Sequence, residues 1–225
     1  MRASEYDTEI IAMKELMHVL PQDIEKESFR IIGEELQAMG VVLPEDQEPV
    51  TKRVIHTTAD FTFVDSLEYT EGAVEKAREL IRRGATIVTD TNMALTGISK
   101  PSLAKCGAKA VCFMADPDVA AEAKERGVTR ASVSMERAQA LEGPVIYAIG
   151  NAPTALIELH DIMERGGRKP DFIIGVPVGF VNVEYSKELF RNSGVPYIIN
   201  FGRKGGSTIA AAICNAILYT MVKRD

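Results

Sequence analysis

The chain has no tryptophan, and its aromatic content is only 6%. A stacking platform for single-stranded nucleic acid is therefore not evident. Positive charge is not in excess either. Lys and Arg number 26 against 32 Asp and Glu, a net charge of −6. A phosphate backbone needs a basic face, so no nucleic acid partner is expected. No apolar run reaches the roughly 20 residues of a membrane span, so no membrane partner is expected. The opening stretch "MRASEYDTEIIAMKELMHVL" carries acids where a signal peptide carries a basic region and an apolar block. The expectation is a soluble, cytoplasmic protein. Cysteine is scarce: Cys106, Cys112 and Cys214 stand apart without CxxC spacing. They read as reduced thiols in a reducing compartment.

The catalytic motifs that are missing narrow the chemistry further. The three histidines, His18, His56 and His160, never cluster with the cysteines, so no metal site is predicted. There is no GxSxG elbow for a nucleophilic serine. "GRKGGST" is not a Walker motif, because its lysine precedes the glycine pair. No GxGxxG follows the first strand, so a dinucleotide cofactor has no fingerprint.

What is present is a core and a rhythm. The sequence is 46% hydrophobic over 225 residues. From residue 71 onward, helical and extended patterns alternate. "EGAVEKARELIRRG" has helical spacing and closes on Gly84. The runs "ATIVTD", "KAVCFM", "PVIYAIG", "DFIIGV" and "VPYIIN" read as strands, with helical segments between them. Strands that are apolar throughout belong to a parallel sheet covered on both faces. The predicted fold is α/β, a doubly wound, mainly parallel sheet of about five strands with helices on both faces. The N-terminal helices would pack alongside. One domain over residues 1–225 is expected, with residues 1–20 as an extension. In "LPQDIEKESFRIIGEELQAMG" the spacing puts Ile24, Ser28, Ile31, Ile32 and Met39 on one stripe, turning Ser28 inward.

An open parallel sheet binds ligands at the carboxyl ends of its strands. There the sequence places "DTNMALTGI" led by Asp90, "GNAPTAL" with Asn151, "GVPVGFV", and "FGRKGGSTIA" with Arg203, Lys204 and Ser207. Glycines let backbone approach a ligand, and helix N-termini offer N–H groups to anions. Each feature also has a plainer reading. Asp90 serves equally as a helix cap, Asn151 can satisfy its own turn, and Ser28 can bond a carbonyl one turn back.

His56 lies in "TKRVIHTTADFTF", three residues after Arg53. Histidine is the side chain that changes charge near neutral pH. A buried, structural histidine and a proton donor beside an anion clamp both fit the residues. The acids of "PEDQEPVTKRVIHTT" suit a helix start, while its valines and threonines suit a strand. A helix puts Arg53 and His56 on one face, and a strand separates them. His18 and His160 read as structural.

Taken in order, "ESFRII", "RVIHTTADF", "TDTNMALTGI", "AIGNAPTAL", "GVPVGFV" followed by "SK", and "GRKGGS" followed by "NAI" resemble the precorrin-8X methylmutases of cobalamin biosynthesis. The resemblance runs from about residue 20 to the C-terminal helix. It implies an isomerase that moves a methyl group from C-11 to C-12 of a corrin precursor. The product would be hydrogenobyrinate, or cobyrinate in the cobalt-early route. It implies a corrinoid (tetrapyrrole) substrate, no cofactor and a homodimer. It assigns His56 as the catalytic proton donor, with Ser28 and Arg53 as substrate binders. Asp90, Asn151, Arg203 and Ser207 join the substrate-binding set from their strand-end positions. A non-catalytic corrinoid or nucleotide binder using the same cleft is the alternative.

Overall fold

The computed structural model of the chain describes residues 20–222. His18 and nearly all of the expected extension over residues 1–20 lie outside them. The described residues belong to two compact units, the first ending at Val41 and the second running from Val42.

In the first unit a short turn of 3-10 helix, Pro21–Asp23, leads into α1, Ile24–Ala38. Ser28 is half-buried. The buried positions of α1 are Ile32 and Leu36, so the inward line is Ser28, Ile32 and Leu36 at four-residue spacing. This corrects the expected stripe. Ile24 and Met39, at the two ends, are 53% and 56% exposed.

The second unit opens with α2, Glu48–Thr58, and α3, Phe63–Ser66. Pro49 sits in the first turn of α2, where its missing N–H costs nothing. The ambiguous stretch is thus a helix. Strand β1, Leu67–Tyr69, and helix α4, Ala73–Arg82, follow. Next come β2, Thr86–Thr89, then α5, Asn92–Gly97, and α6, Lys100–Cys106. Strand β3 is Lys109–Val111, followed by α7, Pro117–Arg126, and α8, Arg130–Ala138. The rest of the chain is β4, Val145–Ile149; α9, Pro153–Glu164; β5, Phe172–Gly175; α10, Val183–Glu188; β6, Tyr197–Asn200; and α11, Ser207–Met221.

The six strands form one sheet in the order β1-β6-β5-β4-β2-β3. Strands β2 to β6 are parallel, as their apolar runs required. The sixth strand was not anticipated. It is β1, an antiparallel edge pairing Leu67 with Asn200 and Tyr69 with Ile198. Three residues are too few to carry a periodic signal.

Alternation along each strand feeds two cores. Ile87, Ile146, Ala148, Ile174 and Ile198 face one core with α2, α4 and α11. Val88, Val145, Tyr147, Ile149, Ile173 and Ile199 face the other, with α8 and α9. α11 buries nine residues, from Ile209 to Leu218. The strand order reverses between β2 and β4, because β2 is flanked by β3 on one side and β4 on the other. The carboxyl ends of β2 and β4 therefore flank the switch-point crevice.

Candidate functional site

Asp90 follows β2 at the crevice and is 0% exposed. Its Oδ1 accepts the Gly150 N–H at 2.9 Å, and its Oδ2 accepts those of Asn151 and Ala152. Burial pushes the carboxyl up from the usual carboxylate range, while the three amide donors pull it back. Asp90 thus spends its oxygens on the turn after β4 and has no surface for a ligand. The Asn151 side chain on that turn is exposed.

The same turn approaches α11 closely. A Cβ on Gly150 would lie 2.7 Å from Ser207 Cα and 2.9 Å from the Gly206 carbonyl oxygen. Ser207, half-buried at the start of α11, shares a 2.8 Å hydroxyl hydrogen bond with Thr91. Thr91 in turn caps α5, accepting the Ala94 N–H at 3.1 Å. The N-termini of α5 and α11 are thereby joined beside the crevice.

The loop between β6 and α11 carries Arg203 and Lys204, both exposed. Arg203 pairs with Glu184 at 3.1 Å and lies 5.7 Å from the Phe180 ring centroid. Lys204 Nζ donates to Asp60 Oδ2 at 2.6 Å and also to the Thr62 hydroxyl. The Lys204 ammonium holds the Asp60 carboxyl down at about 2. Asp60 lies just past the C-terminus of α2, so this pair fastens the end of α2 to the loop.

His56 sits in the last turn of α2 and is exposed. That turn closes on Ala59, whose φ of 52° is left-handed and whose N–H reaches the Ile55 carbonyl. Arg53, one turn earlier, is half-buried, with its guanidinium 5.4 Å from the Tyr219 ring centroid. A groove of about 780 Å³ runs between α2, α5 and α11. Arg53 and Thr57 line it from α2, Met93 and Thr96 from α5, and Thr208 and Tyr219 from α11. His56 is not in its lining; it stands at the adjoining helix end, one turn from Arg53. A volume of this order suits an organic ligand.

Asn151, Arg203 and Ser207 follow the carboxyl ends of β4 and β6, and the end of α2 beyond His56 is tied to that region through Asp60, while Arg53 lies one turn further back against Tyr219 in the last turn of α11. Asp90 is there too, buried beneath the turn. Ser28 lies in the first unit, on α1. His160 on α9 is half-buried and meets Phe190 edge-on, with ring centroids 6.2 Å apart. All three cysteines are free, and burial pushes the Cys214 thiol up to about 12. No group of three or more His, Cys, Asp or Glu suited to a metal occurs among the described residues. No helix there is long and apolar enough to cross a membrane.

Three further polar residues stand outside the candidate set, although Lys187 and Asn215 fall in the "SK" and "NAI" motifs of the resemblance. Asn200, at the end of β6, accepts the Ser66 hydroxyl at 2.7 Å and donates to the Lys204 carbonyl at 2.9 Å. Asn215 of α11 accepts the Ser99 N–H and donates to the Gly97 carbonyl, both at 2.8 Å. Lys187 of α10 is fully buried, and burial draws its ammonium down to about 8 against the opposing pull of Glu184. A signal for Lys187 existed. Val183, Ser186, Lys187 and Phe190 are spaced as one inward stripe, and all four are buried.

Comparison with known proteins agrees with this architecture. The sequence model of a family described as precorrin-8X methylmutase matches residues 23–220. The cobalt-precorrin-8 methylmutase of Priestia megaterium is 42% identical over 199 residues, covering 88% of each chain. That of Salmonella typhimurium is 41% identical over 211 residues, 90% of this chain and 98% of the relative. The precorrin-8X methylmutase of Pseudomonas aeruginosa is 40% identical over 199 residues, 87% of this chain and 94% of the relative. The crystal structure of precorrin-8X methylmutase from Thermus thermophilus superposes with a TM-score of 0.78 at 36% identity, covering 87% of this chain and 96% of that one. A family model matched from residue 23 to residue 220, with relatives about 40% identical along most of their length, shows the relationship: the chain belongs to the precorrin-8X methylmutase family.

Proposed function

We propose that this protein is an isomerase that moves a methyl group from C-11 to C-12 of a corrin precursor. The product is hydrogenobyrinate or its cobalt counterpart, cobyrinate. The substrate is a flat, apolar ring fringed with acetate and propionate arms. It needs a wide cleft, apolar walls and scattered groups for acids.

The methyl shift is intramolecular, so no net electrons or atoms are exchanged with the protein. His56 donates a proton or a hydrogen bond to the ring and makes the receiving carbon more electrophilic. General acid catalysis of this kind contributes about 10²–10⁴-fold. Arg53 receives a side-arm carboxylate, for which a guanidinium offers two parallel N–H donors. Arg203 and Ser207 receive another, and Asn151 supplies a neutral contact at the turn. Asp90 acts at one remove by holding that turn. The family resemblance also assigns substrate binding to Ser28. Holding the ring in a reactive shape supplies the rest of the acceleration.

We further propose that the protein works as a homodimer in the cytoplasm. Phe180 and Val181, in the loop after β5, are 84% and 78% exposed, an apolar surface that a second copy would cover. The three free thiols suit a reducing compartment.

The observation that carries the catalytic assignment is the exposed His56, one helical turn from Arg53, on a helix end fastened to the Arg203–Lys204 loop. The test is His56→Ala. Incubated with the precorrin-8 substrate and followed by its visible spectrum, the variant should lose about 10²–10⁴-fold in rate. Product binding should survive. Turnover at the normal rate would reject the assignment.

A further inference from the structure

Helix α10 contributes a charge that the methyl shift does not use. Lys187 is 0% exposed, yet no carboxylate among the described residues forms an ion pair with it. Its charged neighbour on the same helix, Glu184, is paired with Arg203 instead. Burying an ammonium without a counter-ion is costly unless its protons are taken up elsewhere. Here they go to backbone. Lys187 Nζ donates to the Gly202 carbonyl at 2.6 Å and to the Lys204 carbonyl at 2.9 Å.

These two carbonyls flank Arg203. The carbonyl of Arg203 itself accepts the Gly179 N–H at 3.2 Å. Three consecutive carbonyls, 202 to 204, thus turn toward partners in the protein. A trans peptide sets its N–H opposite its C=O, and no peptide among the described residues is cis. The N–H groups of Arg203, Lys204 and Gly205 therefore turn away from those partners. They find no acceptor among the described residues. Gly205 completes the fit. A Cβ there would lie 2.1 Å from the Val176 carbonyl oxygen and 2.6 Å from that of Pro177.

Outward amides beside two exposed cations form a donor set for a carboxylate. We infer that Lys187 is a positioning residue: its buried ammonium pins the loop carbonyls inward, so that the outward N–H groups of residues 203–205 receive a carboxylate arm of the substrate. Lys187 does not touch the ligand. It acts through the loop. This rests on the corrinoid reading above.

The test uses the full chain and two probes, cobyrinate and fully esterified cobyrinate, titrated by visible absorbance. Lys187→Met keeps the length and apolar packing but leaves the Gly202 carbonyl unpaired and the Lys204 carbonyl with Asn200 as its one remaining donor. It should weaken cobyrinate binding about tenfold or more, the worth of a charge-assisted hydrogen bond. Binding of the ester should change little, and kcat at saturation should stay close to normal because His56 is untouched. Lys187→Gln restores a neutral donor and should recover part of the affinity. It carries the comparison if the methionine variant does not fold. Equal weakening of acid and ester would show a general distortion and overturn the inference. So would unchanged cobyrinate binding in either variant. If the wild-type protein binds neither corrinoid, the functional reading itself falls; if it binds cobyrinate and the variants bind it equally, only the role of Lys187 falls.

Discussion

Asp90 shows how much of this end of the molecule depends on single buried polar atoms. Its two oxygens accept three backbone N–H groups from residues 150 to 152. Asparagine at that position keeps the shape but has only one accepting oxygen. Its amide group would face at least one N–H, donor against donor. Leaving a buried donor unpaired costs about 1–3 kcal/mol. Asp90→Asn should therefore lower stability by at least that amount in urea unfolding. It should also weaken product binding, because the turn bearing Asn151 loses its anchor. Unchanged stability would mean that the turn holds itself. The sequence marked Asp90 as a polar residue at a strand end, but not which task it has. Its partners are about sixty residues away, and that pairing depends on β2 and β4 being neighbours. Lys187 was legible in a different way. Its place in the helical period pointed inward, and a lysine on an inward stripe asks for acceptors. The acceptors, two loop carbonyls, leave no trace in side-chain sequence. For His56 the residues allowed a core role or an exposed one, and only the fold decides, through the direction in which the last turn of α2 faces.

Among the elements, the contact between the β4–α9 turn and the start of α11 is a close backbone approach at the crevice. Gly150 permits it, since an added Cβ would meet three backbone atoms of residues 206 and 207 within 2.9 Å. Backbone cannot swing aside as a flexible side chain can. Gly150→Ala should therefore push α11 away from the turn and cost about 1–3 kcal/mol, the usual range for overpacking. It should also weaken corrinoid binding, because Ser207 and the 202–206 loop move with the helix start. Gly107→Ala is the control. Gly107 has a left-handed φ of 67° but open space around its Cβ position. That change should cost stability of the same order, about 1–2 kcal/mol, without altering affinity. If both variants lose affinity alike, the close approach has no special role. At this scale the sequence was informative where burial is two-sided. The parallel strands β2, β4, β5 and β6 are fully buried and stand out as apolar runs, while the parallel edge strand β3 opens on the exposed Lys109 and is half-buried beyond it. The edge strand β1 was hidden, being three residues with a half-buried pattern. α2 was ambiguous because threonine and valine suit strands, and its packing against α11 overrides that preference. Between β3 and β4 the chain forms two helices, α7 and α8, rather than a single crossover helix.

Across the whole molecule, charge is arranged against the expected ligand. The chain carries a net charge of −6, while the corrin substrate is itself a polyanion. The two exposed cations of the 202–206 loop do not reverse this, since Arg203 is paired with Glu184 and Lys204 with Asp60. At long range the protein should therefore repel its ligand, and attraction should begin only when a carboxylate reaches the outward amides and exchanges with a paired acid. These two regimes respond oppositely to salt. Screening over a Debye length of about 10 Å at 0.1 M, and about 3 Å at 1 M, removes the long-range repulsion. Contacts at hydrogen-bond distance are also weakened, though less where they are partly buried. Stopped-flow mixing with cobyrinate at low and high ionic strength should then show association speeding up with salt, by a few-fold, with dissociation speeding up as well. A protein that steers its ligand by an attractive field shows the reverse, an on-rate that falls as salt rises. Slower association in high salt would therefore mean that the local cations outweigh the net charge, and that Arg203 and Lys204 leave their acids before the substrate arrives.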